Sequence, residues 1–464
     1  MKRYLSFLFA AGLLTAFTYG QSDDDFFSDD DFFTEDGIEV VEDVSAKSEL
    51  AKGTLFENGS IKVGGNIEAS LEAETVLYTD DDSSFYEKLK NTSLTPKLKA
   101  TLSVDARPTQ ILRMYTKFAF AYPFENKANG YIPHPATPGF LGMDSNMNPV
   151  IGTKAEISVS DWFKLKELFT DFSFKDTAFF RFGIHTVTWG TGYFFSPVSD
   201  IINASSIDPE DPTAQVNGVL NLRTQITFPG GQNCLWFYIV PSSDFNNSSS
   251  AQSYAKDTAL AAKYEFLVGG WEFGAGGYWK YQNAPKAMLT ASGSLKSVSF
   301  FGEAVYSYGA ASEWAANTDW DGKKHIFQFT AGASRYWKDQ MITLAGQYYY
   351  DGNETDIFHE YLTYGHNLAG TVNFGKIFGN EDVTANLFAM VNFGKKDLPD
   401  EFKAWLDGMG SGAFVNAATF SAMLKFSPFK NFTAGMGPYV TMTAWDKNPR
   451  VSLKVNMALG GGKF

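Results

Sequence analysis

Residues 216–228 read VNGVLNLRTQITF, and the alternation within them decides the fold. Successive side chains of an extended chain point to opposite faces. Leu220, Leu222, Ile226 and Phe228 therefore share one face, and Asn217, Asn221, Arg223, Gln225 and Thr227 share the other. The pattern recurs in both directions along the chain. Ile61, Val63, Ile67, Ala69 and Leu71 oppose Lys62, Asn66, Glu68, Ser70 and Glu72. Near the C-terminus Val451, Leu453, Val455, Met457 and Leu459 alternate with Ser452, Lys454 and Asn456. Eighteen such segments run from 61–75 to 450–460, among them 92–106, 109–124, 150–166, 176–190 and 213–228. The count is even, and each segment supplies the roughly 9–11 residues that a tilted strand needs to cross a bilayer.

The connections alternate as well. Arg107-Pro108, Pro229-Gly230-Gly231, Gly269-Gly270, Lys338-Asp339 and Ser427-Pro428-Phe429 are short, whereas 125–149, 191–212, 243–255, 310–324, 352–363 and 395–412 are long and polar. Outer-membrane barrels segregate loops in this way, with short periplasmic turns and longer extracellular loops. Aromatic clusters at strand ends (Trp271, Phe273, Tyr278, Trp279, Tyr281; Tyr348, Tyr349, Tyr350) fit interfacial girdles. The expected fold is all-β: a transmembrane antiparallel barrel of about eighteen strands over residues 61–464, with a wet lumen.

Composition excludes the competing classes. The chain has 464 residues, 44% hydrophobic and 19% charged, with 43 Phe. Its mature part has no run near the ~18 apolar residues of a membrane helix. One cysteine, Cys234, rules out an internal disulfide and any cysteine-clustered metal site, and reads as an inert small residue. A net charge of −14 argues against nucleic acid. Residues 1–20 read as a signal peptide, with Lys2 and Arg3 before the apolar stretch Leu5 to Phe17 and small residues before Gln21. Residues 21–60 form an acidic periplasmic segment, expected to be mostly disordered, in which 21–45 carry eleven acids, no base and a repeated DDDFF.

Residues 179–203 read FFRFGIHTVTWGTGYFFSPVSDIIN. This Arg-x-Gly strand, followed by Trp-Gly, a Gly-aromatic turn and an Asp-x-x-Asn loop, resembles the porin-like outer-membrane barrels related to alginate-export channels. The resemblance implies a channel in the bacterial outer membrane, and its motif falls on Gly183, Trp189, Gly190 and Gly192. Phe464 is similar to the terminal residue read by the barrel-assembly machinery, although Gly460-Gly461-Gly462-Lys463 replaces the usual alternating apolar residues before it.

On segment 176–190, Phe180, Phe182 and Ile184 form the lipid-facing row, and Arg181, Gly183, His185 and Trp189 the lumenal one. Arg181 then stands beside Arg223, with Arg113 and Lys117 two strands back. Gly183 leaves space in its row, and Gly190 and Gly192 allow a sharp exit into the loop. Loop 191–212 combines Pro197, Pro209 and Pro212 with Phe194, Phe195, Val198, Ile201 and Ile202, and is expected to fold inward. Its acids Asp200, Asp208, Glu210 and Asp211 would then face the basic wall and focus a field on passing solutes. Equally, Arg181, Asp200 and Asn203 could fasten the loop to the wall by charge-assisted hydrogen bonds; the two roles are compatible.

Five histidines (His134, His185, His325, His359, His366) form no H-E-x-x-H, and no G-x-S-x-G or phosphate-binding loop is present, so neither enzyme activity, metal nor cofactor is expected. The expected function is diffusion of small polar or charged solutes through a lumen constricted by the infolded loop. Partners are outer-membrane lipid, the assembly machinery, small solutes and further copies in a homo-oligomer. The alternatives are a transporter of hydrophobic molecules, for which residues 21–60 are too short and too acidic to form a plug, and an adhesin or structural protein acting through Trp314, Trp320 and Trp405 on its loops.

Overall fold

The computed structural model describes residues 56–58, 60–78, 84–122, 140–143, 149–151, 163–175, 177–202, 218–229, 233–241, 251–353, 365–393, 416–429, 431–443 and 449–463. The signal and acidic segments expected at 1–60 therefore fall almost wholly outside the described residues, as do Phe464 and Trp405. Eighteen long strands close into one antiparallel barrel. The first six are β1 (Ile61–Tyr78), β2 (Ser93–Thr109), β3 (Leu112–Tyr122), β4 (Phe163–Phe174), β5 (Ala178–His185) and β6 (Val219–Thr227). Then come β7 (Cys234–Val240), β8 (Ala259–Val268), β9 (Trp271–Lys280), β10 (Lys286–Leu295), β11 (Val298–Tyr308) and β12 (His325–Trp337). The circuit ends with β13 (Ile342–Asp351), β14 (His366–Phe374), β15 (Val383–Phe393), β16 (Asn416–Phe429), β17 (Phe432–Thr443) and β18 (Arg450–Lys463). Each strand pairs with its sequence neighbour, and β18 pairs with β1 through Leu71↔Met457 and Ala73↔Val455, which removes the edge. A three-residue strand, Phe56–Asn58, adds to β1, and a separate hairpin, Phe140–Met143 with Pro149–Ile151, lies between β3 and β4.

Alternation sets the two faces. Phe182, Leu260, Leu289 and Leu368 lie half open on the outside, while Asn221, Thr371 and Thr419 are buried within. Tight turns hold one end: Gly269-Gly270 at φ +61° and +82°, and Lys296-Ser297 at +49° and +64°, have the left-handed backbone of a two-residue hairpin. A closed antiparallel barrel with an apolar outer face is of the outer-membrane type, and its short-turn end is periplasmic.

Three expectations need correction. The fourth strand is Phe163–Phe174 rather than 150–166, because Lys175 at φ +52° closes a tight turn after it and the strand must lead straight into that turn. The fifth stops at His185, and residues 186–190 already belong to the inward segment. Among the girdle aromatics, Tyr278 and Tyr349 occupy lumenal positions. Tyr278 packs on the internal core and Tyr349 hydrogen-bonds Gln328, since their neighbours Trp279, Tyr348 and Tyr350 take the outward positions.

Candidate functional site

Strand pairing arranges the lumenal charges in one continuous row. Arg113 pairs with Asp171, Asp171 with Arg181, Arg181 with Arg223 and Arg223 with Tyr238, across β3 to β7. Barrel strands are tilted, so a row perpendicular to them climbs around the wall. Arg113 is one residue from the short-turn end of β3, and Arg223 is four residues from that end of β6. Asp171 binds Arg181 through both carboxylate oxygens (2.7 and 3.1 Å) and lies 3.7 Å from Arg113, whose Nε donates to Asp105 at 3.0 Å. Lys117 is further up β3, opposite Glu167.

Phe169 joins this row to the Arg-x-Gly motif. Its ring lies 4.1 Å from the Arg181 guanidinium carbon, and 5.9 Å from the His185 ring. Its register partner is Gly183, at φ +141°, where a Cβ would collide with the Leu168 carbonyl oxygen and the Phe169 backbone. Gly183 thus lets the backbone carrying Phe169 approach closely, and the arginine lies on the Phe169 ring.

Residues 186–202 turn into the barrel. Val187, Trp189, Val198 and Ile201 are buried against Trp236, Tyr238, Ala261, Met288 and Val305 from β7, β8, β10 and β11. Trp189 Nε1 donates to the Val198 carbonyl at 2.7 Å, and Ser199 Oγ accepts from the Trp189 and Gly190 amides, folding the segment onto itself. Further along, Phe194 packs on Ala345, Ala369 and Phe388 of β13, β14 and β15. The segment leaves β5, and β14 stands nine strands away in a circuit of eighteen, so it reaches the opposite wall.

Three polar side chains clamp it there. Glu303 on β11 accepts the amides of Thr191 (2.5 Å), Gly192 (2.6 Å) and Val198 (2.9 Å), together with Ser196 Oγ (3.0 Å). Gln347 on β13 accepts the Phe194 amide at 2.6 Å and donates to the Phe195 carbonyl at 2.6 Å. Lys263 on β8 donates to the Trp189 carbonyl at 2.5 Å while paired with Glu265 at 2.6 Å. Each clamp is five residues from the short-turn end of its strand, which fixes the segment at mid-depth. Gly190 and Gly192 serve close approach rather than a sharp turn: a Cβ would strike Glu303 and Ser196 at the first, and the Phe195 carbonyl at the second. Outside the membrane strands, burial alone pushes the Tyr193 phenol up to about 12.

Of the acids expected across from the arginines, Asp200 is described. It is exposed, near enough to act electrostatically on Lys286, the first residue of β10 at the long-loop end. Asn203, Asp208, Glu210 and Asp211 lie outside the described residues. The carboxylates beside Arg113 and Arg181 come instead from the adjoining strands, as Asp105 and Asp171.

No family model matches the sequence, and no curated protein matches it. Several solved structures are similar in outline. Acinetobacter baumannii OccAB4 superposes with a TM-score of 0.46 at 7% identity, over 86% of this chain and 97% of that one. Pseudomonas aeruginosa OpdO gives 0.47 at 8%, over 86% and 97%, and P. aeruginosa OccK8 (OprE) 0.45 at 10%, over 86% and 98%. The fold itself rests on the closed ladder of pairings described above.

Proposed function

We propose that the protein is an outer-membrane channel for small polar or charged solutes, narrowed by residues 186–202. The observation that carries this reading is the mid-depth clamp, in which Lys263, Glu303 and Gln347 hold an internal segment against the wall of β7 to β15. Segments clamped inside a polar barrel narrow the aqueous path and bring solutes close to the remaining wall, where Arg113, Lys117, Asp171 and Arg181 stand. On this reading Arg113, Arg181 and Arg223 bias ion preference, and Asp200 contributes charge toward the extracellular mouth, beside Lys286. Trp189, Gly183, Gly190 and Gly192 are positioning residues. Purified protein added to planar bilayers should give unitary current steps. A heat-modifiable, folded preparation that inserts without conducting would exclude the channel and leave a structural or adhesive role.

A further inference from the structure

An apolar groove of about 430 Å³ opens on the outer face of β13 to β17, lined by Gly370, Ala389, Ala422 and Pro438 between Leu344, Leu387 and Phe420. Register places small residues along it. Gly370 and Ala389, which line the groove, are partners; Gly346 on β13 and Ala333 on β12 continue their row past the lining toward Phe300 on β11, and Phe420 on β16 ends it on the other side. A Cβ on Gly346 would meet nothing within 4 Å, and one on Gly370 would make only an ordinary 3.4 Å contact. Neither has a positive φ. Glycine weakens a strand interior, and here nothing inside the barrel requires it. The missing volume is therefore felt by what lies outside.

The row is inclined. Phe300 is two residues from the short-turn end of its strand, Ala389 six and Phe420 nine, so the furrow rises from the periplasmic interface toward the bilayer centre. Arg335 stands at its low end, two residues from the end of β12 and directly paired with the groove-lining Leu344. Its exposed guanidinium stacks 4.7 Å over Trp337. A cation on the lipid face is costly in hydrocarbon and favourable at an anionic headgroup. From the lining Leu344 on β13 to Pro438 on β17 is four strand spacings, about 19 Å at ~4.8 Å each, longer than the ~15 Å that half a bilayer core demands of an acyl chain.

We infer that the groove and Arg335 bind one anionic glycerophospholipid of the periplasmic leaflet, its phosphate at the guanidinium and one acyl chain in the furrow. This rests on the barrel's lying in a bilayer, but not on its conducting. The test is native mass spectrometry of the full-length folded protein titrated with palmitoyl-oleoyl phosphatidylglycerol or the corresponding phosphatidylcholine. The native protein should retain one phosphatidylglycerol. R335Q should weaken that lipid about fivefold, the loss of one interfacial charge, and erase the preference over phosphatidylcholine. G346L/G370L, which fills the groove at Gly370 and its register partner beside it without backbone strain, should lose both lipids, whereas A262L on the lipid face of β8 should lose neither. Equal binding by all four proteins, each heat-modifiable, overturns the site. A dimer or trimer abolished by G346L/G370L without bound lipid overturns it too, and makes the groove a contact between copies. A protein that conducts but shows no such lipid loses this inference alone, and one that never partitions into bilayers loses the membrane placement beneath both.

Discussion

Gly183 and Glu303 carry more of the lumen's geometry than their size suggests. At Gly183 the backbone sits at φ +141° with the Leu168 carbonyl and Phe169 where a Cβ would go. Gly183→Val must leave that backbone region, at about 1–3 kcal/mol, and also unseat the ring beneath Arg181. The unfolding temperature read from heat-modifiable migration should fall by several degrees; an unchanged value would mean that Phe169 finds an equivalent seat. Glu303 is a carboxylate satisfied by three amides and a hydroxyl. Glu303→Gln keeps the shape but turns one acceptor into a donor facing donors, and each hydrogen bond to a charged group contributes about 1.5–3 kcal/mol. Residues 186–202 should loosen, raising unitary conductance and open-channel noise. Native current from a folded Glu303→Gln variant would show that this clamp does not set the pore.

At the scale of the strand, the two faces make opposite demands on neighbouring residues. Leu222 pairs with Phe182 in the lipid row, and Arg223 beside it is buried in the lumen with its guanidinium 5.4 Å over Trp236. Leu222→Arg should impair assembly by about 2–4 kcal/mol, the depth-dependent cost of arginine toward lipid, while Arg223→Leu should fold. Gel mobility with and without heating checks both, and equal folding would reverse the assigned faces. This two-residue rhythm is local, which is why strand number, faces and loop segregation were readable from VNGVLNLRTQITF and its repeats. Strand β4 was misread because 150–166 also alternates, and only the turn at Lys175 selects 163–174. The inward course of residues 186–202 was legible from Pro197, Phe194, Val198 and Ile201, which need burial. Its clamps were not: Glu303 and Gln347 look like any lumenal strand positions, and they meet the segment across more than a hundred residues of chain. The wall acids Asp105 and Asp171 were hidden for the same reason, because register between strands is not written in either strand alone.

For the whole molecule, ion preference should follow from an imbalance rather than from a basic wall. Arg113, Arg181 and Arg223 share their row with Asp171, and Asp105 holds Arg113. Among the described residues, the field of these arginines is offset by Asp171 and by Asp105, which is shared with Arg107, and it acts on whatever cross-section residues 186–202 leave open. Arg181→Gln removes one cation and leaves Asp171, among the described residues, with the longer contact to Arg113 at 3.7 Å. Reversal potentials in a potassium chloride gradient should then move toward cation selectivity, and further in the Arg181→Gln/Arg223→Gln pair. Asp171→Asn should move them the other way, because both arginines lose a shared counter-charge. The pore should stay open in all three, since none of these residues belongs to the Lys263, Glu303 and Gln347 clamp. Fixed charges facing water are felt over about 10 Å at 0.1 M salt and about 3 Å at 1 M. The shifts should accordingly shrink as the mean salt concentration rises. Shifts of the same sign for Arg181→Gln and Asp171→Asn, or shifts indifferent to salt, would mean that the row is structural and that solutes are selected elsewhere along the lumen.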